Sequence, residues 1–405
     1  MSTFYDTCYN QTQLPVKFCS VTEYSQCEQM NVAVAVTPKI TAMASMLAVS
    51  LIIYRVIVTP ARLRKTYDRL IFWMSVMNFF GSLGFFLGEW TYLSIDYPAS
   101  TTSPFCNFQG WLLQINSAVF WYNGCLATNF VLRIRHGWNE ERILSIEPFL
   151  HIIAWFYPVV TSFIALGLGM YGMSGPWCWI TSAYNWTRFA FFFVPLWVIM
   201  IYTTICMILI VVTVKRSDDQ NALYKNHSHP HFSKELSFRR KRKLGRQTKE
   251  VATQAVLYVS TFLLTWIFGT ANRIQNWVSP SCSVFALVWL HSFFVPTQAF
   301  FNFLVYIYPR IKKKVDEDNK LTMQQGQKTF KATICDKLSL GLNILFGKDS
   351  KERDILHTRQ SEKTSHTGED YGKDSLKESS RDPGHQETQT AGTPSNEHPN
   401  TITVV

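Results

Sequence analysis

Charge is scarce in this 405-residue chain where a soluble protein would carry it: Asp, Glu, Lys and Arg make up 17% of the residues, and they avoid long stretches altogether. Several motifs are also missing. There is no His-Glu-x-x-His, no Gly-x-Ser-x-Gly and no glycine loop able to cradle a phosphate, which excludes the commonest metalloprotease, hydrolase and nucleotide-hydrolysing sites. The last apolar block, 284–308, contains no lysine, so it cannot hold retinal as a Schiff base. Neither repeat symmetry nor broken segments around midplane charges mark a secondary transporter. Residues 1–30 are polar and lack the basic start and apolar core of a cleavable signal peptide, so the first apolar block is expected to act as its own insertion signal.

What is present is a series of nearly uncharged blocks, each long enough to cross a hydrocarbon core of roughly 30 Å. They fall at 36–58, 70–95, 106–132, 148–171, 188–214, 251–271 and 284–308. Lipid offers no hydrogen-bond partner to bare backbone, so each block must be helical, and Pro158, Pro195 and Pro296 then mark kinks. The expected fold is all-α: a seven-transmembrane helix bundle at 32–308. It is flanked by an extracellular segment at 1–31, a juxtamembrane basic and interfacial segment at 309–348, and a disordered cytoplasmic tail at 349–405.

Orientation follows from the short loops. The first carries Arg62, Arg64, Lys65 and Arg69, the third Arg133, Arg135 and Arg142, and the fifth a dense basic run at 239–249. The alternate loops, near 96–104, 172–187 and 274–283, contain no Lys or Arg and face outward. Two glycosylation sequons, at Asn10 and Asn185, fall on that outer side, whereas a third at Asn226 falls inside. Six of the 9 cysteines (Cys8, Cys19, Cys27, Cys106, Cys178 and Cys282) lie in the oxidising compartment and can pair fully. A bridge between Cys106 and Cys178 would pin the second outer loop over the bundle mouth, and the other four cysteines would still allow three connectivities.

The segment 215–250 reads as a long charged loop, and its alternating histidines at 227, 229 and 231 lack a second ligand cluster, so no metal is assigned. Beyond Tyr308, basic residues at 310–314 suit anionic lipid, and 336–347 suits a short interfacial helix beside Cys335. The tail from 349 carries many Ser and Thr suited to phosphorylation and too few apolar residues for a core.

Polar residues inside the blocks share faces. Asn78, Ser82 and Glu89 form one stripe; Thr261, Thr265, Gly269 and Asn272 form a second; His291, Gln298 and Asn302 form a third. The outer ends add charge where cations are otherwise avoided, with Arg188 opening the fifth helix and Arg273 closing the sixth. With Trp179, Asn272, Gln275 and Asn276 nearby in sequence, and Glu89 and His291 on facing stripes, these arginines suit a ligand with an anionic group and a flat ring. Glu89 is equally suited to pair with one of the arginines and hold the bundle closed.

The run Gly175-Pro-Trp-Cys-Trp-Ile180, followed by Arg188-Phe189 and an aromatic, proline-containing helix, resembles the second outer loop and fifth helix of the slime-mould cyclic AMP receptors and their relatives in other protists, fungi and plants. Trp266-Ile-Phe and Asn272-Arg-Ile-Gln-Asn276 resemble their sixth helix. The resemblance implies a receptor that couples an extracellular small molecule to a heterotrimeric G protein, with a Cys106–Cys178 disulfide. Val131-Leu-Arg-Ile-Arg135 lacks the acidic-Arg-aromatic triplet of rhodopsin-like receptors, and Asn302 is not followed by proline. The long basic loop and the run Pro-Thr-Gln-Ala-Phe-Phe-Asn at 296–302 depart from the cyclic AMP receptors themselves. The sequence therefore reads as a multi-pass plasma-membrane receptor, with a channel or transporter as the alternative. It implies no catalysis, cofactor or nucleic acid polymer. The expected partners are the ligand, membrane lipid and a G protein facing Arg133, Arg135 and the cluster Arg239, Arg240, Lys241, Arg242 and Lys243.

Overall fold

The computed structural model describes residues 18, 24–59, 65–90, 103–227, 232–279 and 281–324, with positions 24, 221–247 and 317–324 described by backbone alone. All belong to the compact unit Met1–Gly347. Asn10, Cys8, Cys19, Cys335 and the stretch 336–405 lie outside the described residues.

Among the described residues, six unbroken helices are long and apolar enough to span a membrane: Ser25–Val58, Thr66–Leu87, Glu140–Gly167, Ser182–Gln220, Thr248–Val278 and Phe285–Asp316. The remaining crossing, third in order, runs in two pieces, Pro104–Ile115 and Ala118–Ile134. Its start is written locally, because Pro104 occupies the first turn and the Ser103 hydroxyl accepts the Cys106 N–H at 3.1 Å. Its interruption at Asn116–Ser117 is a tightened turn, with Ser117, Val119 and Phe120 each donating to the carbonyl three residues back. Gly81 of the second crossing makes room for that turn, since a Cβ there would lie 2.1 Å from the Asn116 side chain.

The crossings close into a ring in which the first packs on the second and seventh, and the sixth on the fifth and seventh. The third runs through the middle, touching the second, fourth, fifth and sixth. Large apolar side chains such as Phe149, Ile152, Phe156, Val198 and Ile201 point outward, as a lipid-facing surface requires, while Gln109, Gln114, Asn129, Thr203 and Thr265 are fully buried. Pro296 of the seventh crossing is supported from the first: the Ser45 hydroxyl donates to the Pro296 carbonyl at 2.6 Å and accepts the Phe300 N–H at 3.3 Å.

Several helix boundaries differ from the sequence expectation. The fifth and sixth helices continue through most of 215–250, as Val194–His227 and Phe232–Val278. Lys, Arg, Gln, Leu and Ala are good helix formers, so charge in that segment did not oppose helix. At 47 residues the sixth helix is about 70 Å long, well beyond a bilayer core. An ion pair between Lys249 and Asp218, 2.8 Å, ties the two extensions. The seventh helix likewise passes Tyr308 and Pro309 and runs to Gln324. Conversely, the fourth ends at Gly167, and Gly169, at φ 63°, turns the chain into β1, Tyr171–Met173.

Candidate outer cavity

β1 pairs antiparallel with β2, Cys178–Ile180, through a turn that needs Gly175 at φ 77°. This hairpin is sunk into the outer end of the bundle. Cys178 is bonded to Cys106 at the start of the third crossing, the pairing that the resemblance implied. Gln109 reinforces it from one turn below, accepting the Cys178 N–H at 2.9 Å and donating to the Gly84 and Gly88 carbonyls at 2.8 and 2.9 Å. Gly110 lets Tyr171 lie flat against the helix, since any Cβ would come within 2.6 Å of the ring. Burial pushes the Tyr171 hydroxyl above its ordinary pKa, so it stays a donor to the Ser162 carbonyl at 2.9 Å. Of the other outer cysteines, Cys282 is disulfide-bonded.

Beneath the hairpin lies a cavity of about 440 Å³ enclosed by the hairpin and the outer halves of the second, third, fifth, sixth and seventh crossings. Its base is aromatic: Trp266 stacks edge-on against Phe120 at 4.8 Å and Phe192 at 5.4 Å, and its Nε1 donates to Gln298 at 3.0 Å. Arg188, Arg273, Trp179, Asn272, Asn276 and His291, all singled out from sequence, line it together.

The two arginines are held differently. Arg188, 6% exposed, donates from Nε to the Ile180 carbonyl at 2.6 Å and from Nη2 to Ser174 Oγ at 2.8 Å, and lies 5.7 Å from the Trp179 ring. It anchors the hairpin while facing the cavity. Arg273 lies over Phe193 at 4.9 Å, and its buried Nε has no hydrogen-bond partner. Among the described residues, no carboxylate lines the cavity. Asn272 donates to His291 Nδ1 at 3.1 Å, leaving its own buried Oδ1 unpartnered, as are Asn116 Oδ1 and Ser292 Oγ on the same wall. Among the described residues, the cavity thus presents two cations without a counter-charge and several unsatisfied polar atoms over an aromatic base.

Two expected residues lie elsewhere. Glu89 pairs with Lys39 of the first crossing at 2.6 Å, with the Trp90 ring 4.3 Å from the ammonium, and not with an arginine. Lys39 was hidden because it sits beside a proline inside an otherwise apolar block. Gln275 closes the third outer loop, donating to the Cys282 carbonyl at 3.0 Å and accepting the Val284 N–H at 3.4 Å. Conversely, Asn116, Ser174 and Ser292 were missed. Asn116–Ser117, two polar residues interrupting an apolar run, was the available signal. Asn185 is exposed at the cavity rim, where its Oδ1 accepts from Arg188 at 3.5 Å.

At the inner end Arg133 bonds Asn129 Oδ1 at 2.9 Å and pairs with Glu140, whose other oxygen accepts the Thr66 N–H at 2.6 Å. Arg69 and Thr66 converge on Glu147. Arg135 is exposed, and residues 239–243 lie on the sixth helix.

The chain matches the family model described as slime mold cyclic AMP receptor over residues 25–313. It is 24% identical over 212 residues to Cyclic AMP receptor 4 of Dictyostelium discoideum, covering 52% of this chain and 42% of that protein. To G-protein coupled receptor 1 of Arabidopsis thaliana it is 22% identical over 249 residues, 60% of this chain and 68% of that one. The chain thus spans about half or less of the length of the Dictyostelium relatives it matches. In fold it resembles squid rhodopsin, with a TM-score of 0.52 at 15% identity, covering 78% of this chain and 91% of that one. With a ring of seven crossings and a match over most of its length, the chain belongs to the slime mold cyclic AMP receptor family of multi-pass membrane receptors.

Proposed function

We propose that the chain is a non-enzymatic receptor that takes an anionic, ring-bearing small molecule into the outer cavity and passes the change to a heterotrimeric G protein at its basic inner face. The observation that carries this reading is the pair Arg188 and Arg273 on one cavity, with no carboxylate on its wall among the described residues. A buried cation left without a counter-charge is costly, and an anionic ligand removes that cost. The Dictyostelium relatives, named as cyclic AMP receptors, suggest a ligand of this chemistry: a phosphate diester on a flat base. On the inner side, Arg135 and the helical basic run containing residues 239–243 form the surface for an acidic partner, while Arg133 supports it through Glu140. Asn185 at the rim and Asn10 are the candidate glycan acceptors.

The test is nucleotide exchange on a co-expressed heterotrimeric G protein, with cyclic AMP as the first agonist and other cyclic nucleotides and small dianions beside it. Ion currents are recorded in the same membranes. Exchange that depends on agonist is the expected result. Currents without exchange would overturn the receptor reading, and exchange driven only by cationic or neutral agonists would overturn the anion reading.

A further inference from the structure

The fifth crossing does not enter the membrane as a plain α-helix. After the single turn Asn185–Arg188 comes a π-turn, Phe189–Phe193, and only then the α-helix from Val194. Two backbone carbonyls lose their ordinary partners there. Val194 N–H donates to the Phe189 carbonyl, five residues back, which leaves the Ala190 carbonyl without its α-helical donor. The Phe191 carbonyl would receive from residue 195, but that residue is Pro195, which has no N–H and whose ring crowds the same carbonyl.

Both carbonyls are taken by side chains from other crossings. The Tyr157 hydroxyl, on the fourth, donates to the Ala190 carbonyl at 2.5 Å. Gln114 Nε2, on the third, donates to the Phe191 carbonyl at 3.2 Å and to Thr161 Oγ1 at 3.2 Å, while its Oε1 accepts the Trp179 Nε1 hydrogen at 3.0 Å. Gln114 is fully buried. One amide therefore joins the central helix to the π-turn, the fourth helix and the hairpin that roofs the cavity. A π-turn holds one more residue than an α-turn, so everything outward of it is rotated by about 100° relative to a straight helix. Arg188 and Phe189, both on the cavity wall, are the residues whose direction depends on that rotation.

We propose that Gln114 and Tyr157 are the positioning residues of the ligand cavity, fixing the aim of Arg188 and Phe189 by supplying the two hydrogen bonds that the π-turn and Pro195 remove. This rests on reading the outer cavity as the ligand site. Neither residue lines that cavity, so their effect passes through the turn and, for Gln114, through its bond to Trp179 as well.

The test is thiol labelling of full-length receptor carrying Phe189→Cys, using the anionic reagent sulfonatoethyl methanethiosulfonate from the outer side. The same receptor carrying Asn276→Cys instead serves as the reference on the facing wall, and unsubstituted receptor sets the background. Tyr157→Phe, which loses one hydrogen bond, is expected to slow labelling at position 189 about ten-fold, Gln114→Leu, which loses three, at least as much, and both are expected to leave position 276 unchanged. Pro195→Ala, which restores a backbone donor, is expected to slow it too. Because all three act on one turn, combining them should slow labelling no further than the strongest alone. Unchanged rates at 189, equal slowing at 276, or additive effects would overturn the proposal. Tyr157→Phe keeps the ring and removes a single bond, so the test survives if Gln114→Leu fails to fold. The anion reading is checked separately by the rate ratio of this reagent to its cationic trimethylammonium counterpart in the unaltered turn. A ratio at or below that for a thiol in water would sink that reading without touching the positioning role.

Discussion

Replacing Arg273 by glutamine separates a ligand contact from a structural cation. Its guanidinium rests on Phe193, its Nε is unpartnered, and its charged neighbour in the cavity is Arg188, another cation. Nothing in the fold is bonded to the Nε hydrogen, whereas an anion in the cavity would be. A hydrogen bond to a charged group contributes about 1.5–3 kcal/mol, so Arg273→Gln should weaken the potency of cyclic AMP in the exchange assay roughly ten-fold to a hundred-fold. Arg273→Lys should recover only part, because lysine restores the charge without the planar fork. The thermal stability of the unliganded protein should not fall, since the change removes an unpaired cation and its repulsion from Arg188. Arg188→Gln gives the contrast: it breaks bonds to the Ile180 carbonyl and Ser174, so it should lower stability and potency together. The reasoning fails if Arg273→Gln leaves the response to every anionic agonist unchanged, or if it destabilises the unliganded protein as much as Arg188→Gln does.

Cys106→Ser, Cys178→Ser and the double change should reduce surface receptor equally, because each breaks the same bridge; additive losses in surface labelling would contradict the pairing. Lys39→Met should leave the Glu89 carboxylate poorly compensated and cost about 2 kcal/mol, and adding Glu89→Gln should restore most of the melting temperature. Glu89→Gln and Arg273→Gln should be additive in stability, since Glu89 pairs with Lys39. Neutralising residues 239–243 should lower agonist-driven exchange at normal surface expression, and undiminished exchange would remove this stretch of helix from the partner surface.

Much of this architecture was legible in the sequence because the bilayer leaves few solutions. Uncharged blocks of membrane length can only be helices, and lysine and arginine placement orients them. The same reasoning found six lining residues of the cavity, because an arginine such as Arg273 stands out where cations are scarce. It failed where a residue's meaning depends on a partner far away in sequence. Glu89 reads from sequence as either a ligand contact or the partner of an arginine, and its cation is instead Lys39, fifty positions earlier. Gln114 sits among apolar residues with no local signal, and its three bonds end on three different elements. The helical extensions of the fifth and sixth crossings were read as loop because polarity was weighed above helix propensity, the wrong priority once the chain has left the lipid.

The sixth crossing is the element through which the cavity and the inner face meet. Trp266 touches the aromatic base of the cavity, Phe262 lies one turn below against Phe120, and Tyr258 lies one turn below that, all on one face at spacings of four. Tyr258 is fully buried 3.4 Å from the Tyr67 hydroxyl, which also accepts Gln254 Nε2 at 2.5 Å. The outer cavity wall and an inner polar clasp to the second crossing are therefore carried by one continuous helix, so a rotation that repacks Trp266 must strain the Tyr67 contacts. Below that clasp the same helix bears residues 239–243. Such a helix transmits a signal only if it has two stable positions, and on the proposed function the clasp would hold the resting one. Tyr67→Phe removes the acceptor of the Gln254 bond while keeping the ring against Phe130. It also removes the donor to Tyr258, so it should raise agonist-independent exchange, by a factor of about five to ten for the loss of two weak neutral hydrogen bonds. Basal exchange that stays at the unaltered level, with Tyr67→Phe folded at the cell surface, would mean that the clasp is packing alone and that the inner face moves by another route.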